Sequence, residues 1–312
     1  MNTTSLSTPA IEVHRVTRNF GSVAALHDVS FSVPQNSIVG LLGRNGAGKT
    51  TIMSILSGQD RPSQGHVTVL GHAPFEHAPT LTRIINVRDN QRYPDDYRLH
   101  HVLRIAPDFA PHWNADVAAE LVDAFQIPAK TALKKLSRGQ LSSIAIVLGL
   151  ASRAPITLLD EPYLGLDVAA RALFHRVLLR DYGEHPRTVV LSTHLIDESA
   201  SLFDRVLIMN KGRIVVDDET DNATARAFTV SGATRAVEAV LVNHPVLESH
   251  TIGALTAATA AGEVNEALRE HAAERGVHIG QPTLQELASA LGGENALAYT
   301  GNAVEKKEAE RA

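Results

Sequence analysis

Hydrophobic residues along this chain fall into two kinds of run, and each predicts a different element. Alternation in short pieces, Ile11-Glu12-Val13 and then Phe31-Ser32-Val33 closed by Pro34, predicts strands of a half-exposed antiparallel sheet. Gly65-His66-Val67-Thr68-Val69-Leu70-Gly71 reads as another short strand between glycine turns. Continuous apolar runs too short for helices occur at Ile38-Val39-Gly40-Leu41-Leu42, Ile156-Thr157-Leu158-Leu159, Thr188-Val189-Val190-Leu191-Ser192, Val206-Leu207-Ile208-Met209 and Arg213-Ile214-Val215-Val216. Strands covered on both faces show such runs. Helical spacing over residues 169–179, between two of them, predicts a parallel α/β sheet.

The pattern changes after Asn86. Residues 102–105, 117–125 and 141–150 carry helical spacing, with Pro94, Pro107, Pro111 and Pro128 punctuating the loops, so a helical insertion is expected over about 88–150. Past Asp217, Phe228-Thr229-Val230 opens a second unit. Val237, Val240 and Leu241 mark one helix face, and Val264, Ala267, Leu268, His271 and Ala272 another, closed by Gly276. Strand-like pieces intervene over residues 246–255 and 277–279, and Thr283-Leu284-Gln285-Glu286 is a capping-box start for a last helix. The order suggests β-α-β-β-α-β, a small ferredoxin-like or compact α+β domain over residues 223–292. Residues 1–10, polar and without a signal peptide's basic and apolar regions, read as a loose tail, and the charged residues 293–312 as a disordered one.

The densest chemistry lies in Gly40-Leu41-Leu42-Gly43-Arg44-Asn45-Gly46-Ala47-Gly48-Lys49-Thr50-Thr51, which fits G-x-x-x-x-G-K-[ST]. A bare glycine turn between strand and helix would satisfy the pattern too. Here the apolar run before it and Ile52, Ile55 and Leu56 at helical spacing after it, with Gly58 as C-terminal cap, supply the frame of a phosphate-binding loop. Glycines let successive N–H groups converge on a polyphosphate at a helix N-terminus. Lys49 adds a cation for the β- and γ-phosphates, Thr50 a hydroxyl ligand for Mg²⁺, and Thr51 a further donor. The run ending in Asp160-Glu161-Pro162 suits the same site, Asp160 holding the metal and Glu161 orienting an attacking water. Phe20, before Gly21 on the turn between the first strands, is either a plain aromatic or a platform for a nucleotide base. His194 follows a central strand on the ligand side of such a sheet.

Composition narrows the partners. A net charge of -5 gives no electrostatic case for nucleic acid, and the absence of cysteine removes disulfides, thiol chemistry and cysteine-bound zinc. The most apolar window, residues 144–151, is well short of the ~20 residues that span a bilayer. The remaining histidines, including His100-His101, lack a metal-ligand spacing such as H-E-x-x-H. At 312 residues, a nucleotide-binding domain of about 11–222 plus something smaller is expected.

Leu136-Ser137-Arg138-Gly139-Gln140 alone is a serine cap before a helix. Together with the phosphate loop, Leu158-Leu159-Asp160-Glu161-Pro162, Gly165-Leu166-Asp167 and Ser192-Thr193-His194, it resembles the signature of ABC-transporter ATP-binding subunits, in order from Ile11 to Asp217. The resemblance implies a P-loop NTPase core with an antiparallel β subdomain, ATP and Mg²⁺, and a site shared between two cassettes in a homodimer or heterodimer. It gives Phe20 the adenine-stacking place, residues 43–51 the Walker A loop, Asp160 the end of Walker B and Glu161 the general-base place. Ser137 and Gly139 match residues that touch the γ-phosphate held by the opposite subunit, with Gln140 beside them in the nucleotide-binding set, Asp167 the loop crossing the interface, and His194 the switch histidine. It also implies a separate integral membrane permease, a place on the cytoplasmic face of the membrane and, from the closest-looking cassettes, export. A soluble ATPase acting on nucleic acid or ribosomes and an ATP-gated regulatory module are the alternatives. Arg138 replaces the family's usual glycine. After Ile84-Ile85 the family expects glutamine or glutamate, and Arg88, Asp89 or Gln91 takes that place here.

Overall fold

A computed structural model describes residues 8–88, 91–293 and Tyr299. The chain divides into two compact units, Met1–Leu41 with Gly48–His194, and Leu42–Ala47 with Leu195–Ala312. Among the described residues no helix is long and apolar enough to cross a membrane.

The first unit opens with β1 (Ile11–Phe20), β2 (Val23–Val33) and β3 (Ile38–Leu42). Helix α1 (Lys49–Leu56), β4 (Gln64–Val69), α2 (Ala78–Leu81) and β5 (Ile84–Arg88) follow. Then come α3 (Leu99–Phe109), α4 (Ala115–Ala124), α5 (Arg138–Ala151), β6 (Ile156–Asp160), α6 (Val168–Glu184) and β7 (Thr188–Ser192). β2, β1 and β4 form an antiparallel sheet in that order. Its strands are longer than the short alternations predict, because bulges at the left-handed Arg15 and Asp28 interrupt the period of two without ending the pairing. Ala10, assigned to the tail, is buried, donating to Val33 and accepting from Leu70. Residues 1–7 lie outside the described residues.

β5, β6, β7 and β3 pair in parallel in that order. Every residue of β3, β6 and β7 is buried, as continuous apolar runs require of strands covered on both faces. Each buried Leu, Ile or Val here contributes ~1.5–3 kcal/mol. Gly149 of α5 lets that helix close on the sheet, since a Cβ there would lie 2.8 Å from Val87. β5 itself escapes the sequence reading, having only one fully buried residue and two polar ones. Pro107, assigned to a loop, lies inside α3; it removes the bond to the Leu103 carbonyl, and the helix ends two residues later.

The second unit runs through α7 (Ile196–Ser199), β8 (Arg205–Asn210), β9 (Arg213–Glu219) and α8 (Thr220–Ala225). β8 and β9 form a hairpin whose two-residue turn, Lys211-Gly212, has both φ angles positive, as the strand twist favours. Next come β10 (Ala227–Ala233), α9 (Thr234–Leu241), β11 (Val246–Ile252), β12 (Leu255–Ala261), α10 (Glu266–Ala273), β13 (His278–Gly280) and α11 (Leu284–Ala290). The β-α-β-β-α-β order gives an antiparallel sheet arranged β11-β12-β10-β13, the ferredoxin-like arrangement, around Phe228, Val230, Val237, Val240, Leu241, Ala258, Ala260 and Leu268. α11 starts in the predicted capping box, Thr283 and Glu286 bonding each other's backbone N–H. Tyr299, within the span assigned to the disordered tail, is buried and donates to the Ala223 carbonyl at 2.7 Å. Residues 294–298 and 300–312 lie outside the described residues.

Candidate active site

Strand register sets the polar ends of β5, β6 and β7 side by side: Arg88 pairs with Asp160, and Asp160 with Ser192. The carboxyl ends of parallel strands are where open α/β sheets bind ligands. Between β3 and α1 the glycines adopt the backbone expected of a phosphate loop, with φ of 142° at Gly43, 82° at Gly46 and 107° at Gly48. Ala47 N–H donates to the Arg44 carbonyl, so Arg44-Asn45-Gly46-Ala47 is a β-turn with glycine at its positive-φ position. A Cβ on Gly43 would lie 2.3 Å from the Met209 carbonyl.

Lys49 opens α1 with its side chain 6% exposed and Nζ 3.5 Å from Oε1 of Glu161. Thr50 is exposed and Thr51 half-buried beside it. Oε2 of Glu161 lies 2.6 Å from Nδ1 of His194. An ionised carboxylate only accepts, so Nδ1 is the donor in that bond. Three sequence-predicted residues thus form one line, Lys49, Glu161, His194. Glu161 sits just past β6 in the left-handed region, φ 50°, and its N–H is held by the carbonyl (3.2 Å) and hydroxyl (3.0 Å) of Ser192. The same hydroxyl donates to Oδ1 of the buried Asp160 at 2.6 Å. Ser192 therefore holds the Asp160 carboxylate and the Glu161 backbone, a role that sequence reading missed. The only sequence signal was two polar residues, Ser192 and Thr193, closing an apolar strand.

A second group forms around the start of α5. Ser137 is its N-cap, accepting from Gln140 N–H while the Gln140 side chain accepts from Ser137 N–H. Gly139 abuts Gly165, whose carbonyl would lie 2.2 Å from any Cβ, and Ser142 donates to the Leu164 carbonyl at 2.7 Å. Asp167 then caps α6 by accepting from Ala170. Ser137, Gly139, Gln140 and Asp167 thereby share one surface, with Ser137 and Asp167 exposed. Phe20 ends β1 rather than sitting on the turn, 51% exposed, with the Arg18 guanidinium 4.5 Å from its ring centroid. Arg88 ends β5. Asp89 lies outside the described residues, and Gln91 lines an apolar groove with Tyr93 and Trp113.

A family model described as ABC transporter matches residues 26–164. A Fe(3+) ions import ATP-binding protein of Pseudomonas fluorescens is 31% identical over 66% of this chain, which spans 60% of that relative's length. An aliphatic sulfonates import ATP-binding protein of Burkholderia ambifaria is 31% identical over 76% of this chain and 73% of its own. A solved dimeric ATP-binding cassette in a post-hydrolysis state, bound to ADP and Pi, shares the fold with a TM-score of 0.58, at 23% identity over 67% of this chain and 98% of that one. Both relatives are named for import, so the export direction expected from the sequence gains no support. The motifs, the α/β cassette fold and these relatives agree: the chain belongs to the ABC transporter family, as an ATP-binding subunit with ATPase activity.

Proposed function

We propose that this chain hydrolyses Mg·ATP to power transport through a separate membrane-embedded permease, on the cytoplasmic face of the membrane. The observation that carries the reading is the line Lys49, Glu161, His194 beside Asp160. The loop from Gly43 to Thr51 cradles the phosphates, Lys49 binds the β- and γ-phosphates, and Phe20 stacks on the base. Thr50 and Asp160 are hard oxygen donors suited to Mg²⁺, and Ser192 occupies only Oδ1 of Asp160, leaving Oδ2 for the ion or its water shell. When bound, that ion neutralises phosphate charge. Glu161 orients the attacking water, and His194 presents Nε2 to the γ-phosphate.

The surface carrying Ser137, Gly139, Gln140 and Asp167 supports a composite site completed by a second cassette, identical or different. A groove of about 290 Å³ lined by Ile85, Tyr93, Tyr97, Val102, Phe109 and Trp113 suits an apolar segment of the permease. Phe109, 76% exposed, is covered in that complex.

Sizing of purified Glu161→Gln with and without Mg·ATP tests the reading. The expected result is an ATP-dependent dimer, with wild-type turnover rising more than linearly with protein concentration. A protein that binds no ATP overturns the assignment, and one that binds ATP as a monomer throughout overturns the self-complementary dimer.

A further inference from the structure

β5 sends two polar side chains to one face, Asn86 and Arg88, as the period of two dictates. They meet two serines about one turn apart, Ser54 on α1 and Ser57 at its C-cap. Asn86 Nδ2 donates to Ser57 Oγ at 3.0 Å, and Arg88 Nη2 to Ser54 Oγ at 2.5 Å. Each serine hydroxyl passes the bond back along the helix, Ser57 to the Ser54 carbonyl at 3.1 Å and Ser54 to the Thr50 carbonyl at 2.7 Å. The last strand before the helical region is thereby tied, through two hydroxyls, to the first turn of the phosphate-binding helix.

Among the described residues no carboxylate lies within ion-pairing distance of Arg88, and its Nε is buried without a hydrogen-bond partner, as is Oδ1 of Asn86. Two orphaned buried atoms cost free energy, so the seam is not the most stable way to pack β5 on α1. Its effect is directional. A guanidinium donating to a hydroxyl polarises it and strengthens that hydroxyl's own donation. Here the donation falls on the Thr50 carbonyl, which fixes the backbone of Thr50 and with it the direction of the Thr50 side chain.

We infer that Arg88 and Ser54 are positioning residues for Mg·ATP: acting through the Ser54 hydroxyl, Arg88 fixes Thr50 in the orientation that ligates the metal. The inference rests on the proposed role of Thr50. Arg88 also brings a positive charge toward a cation site, so removing it changes two things at once. Ser54→Ala breaks the link without altering charge and is the cleaner probe.

Affinity for a fluorescent ATP analogue, measured in Mg²⁺ titration and again in EDTA, reads the effect without turnover. Ser54→Ala is expected to raise the Mg²⁺ concentration at half-saturation three- to tenfold while leaving metal-free affinity within twofold. Ser54→Thr, which keeps a hydroxyl, restores the wild-type Mg²⁺ dependence. Arg88→Lys, which keeps the charge and loses the planar fork, falls between, and its effect disappears in the Ser54→Ala background because both act through one hydroxyl. Thermal melts confirm that the variants fold. Unchanged Mg²⁺ dependence in Ser54→Ala, or additive effects in the double variant, overturns the inference. Failure of the wild type to bind Mg·ATP would instead sink the functional reading beneath it.

Discussion

Nδ1 of His194 and Oε2 of Glu161 lie 2.6 Å apart, while the other oxygen of that carboxylate faces Lys49 at 3.5 Å. Glu161 is therefore held between the Lys49 ammonium and the His194 imidazole, one on each oxygen. Replacing the carboxylate by an amide removes the charge that balances Lys49 and leaves one acceptor oxygen where there were two. Glu161→Gln should slow hydrolysis ~10²–10⁴-fold with ATP binding retained or tightened. Turnover and ATP titration on one preparation check this, and wild-type turnover would remove Glu161 from the chemistry.

Asp181, 1% exposed, takes Arg153 on Oδ1 (2.6 Å) and Arg187 on Oδ2 (2.8 Å). Burial chiefly, opposed by Asp181, pulls Arg187 below the usual arginine range, and among the described residues Nε and Nη2 of Arg187 have no hydrogen-bond partner. Asp181→Asn leaves a buried guanidinium uncompensated and should cost ~3–5 kcal/mol of unfolding free energy. Urea titration measures it; a loss under 1 kcal/mol would show that the cluster is better hydrated than its burial implies.

The Tyr93 hydroxyl is buried without a hydrogen-bond partner among the described residues, and burial pushes its pKa up to about 12. An unfolded tyrosine ionises near 10. The Tyr93 contribution is fully present below pH 10 and is lost between pH 10 and 12, where the unfolded state releases its proton first. Tyr93→Phe should flatten that part of the stability curve and, by deleting an orphaned hydroxyl, leave neutral-pH stability unchanged or raise it by ~1 kcal/mol. Urea midpoints for the two proteins from pH 7 to 12 decide it, and identical alkaline slopes would refute the assignment.

Much of the site was legible in the sequence because phosphate chemistry fixes residue types at fixed spacing. Gly43, Gly46 and Gly48 had to take positive φ, Lys49 had to open the helix, and Asp160 had to end a buried strand. The ferredoxin-like order of elements was legible too, since helix faces such as Val237, Val240 and Leu241 carry a clear period. What escaped depends on partners far away in the chain. Ser192 as the clamp on Asp160 and Glu161 follows from parallel register, and Arg88 as a donor to Ser54 follows from how β5 lies on α1. β5 itself was missed because Asn86 and Arg88 break the short apolar run of Ile84, Ile85 and Val87, leaving neither a continuous buried strand nor a clean alternation.

Glu161 occupies a backbone conformation that suits glycine. An L-residue there costs ~1–2 kcal/mol, and Ser192 holds the strained peptide in place from both its carbonyl and its hydroxyl. Selection for thermal robustness alone would thus drift toward Glu161→Gly, which relaxes the backbone and deletes the carboxylate in a single step. Directed evolution of this cassette toward heat tolerance would need a turnover filter at every round, because relieving the backbone at this position also removes the carboxylate proposed to orient the attacking water.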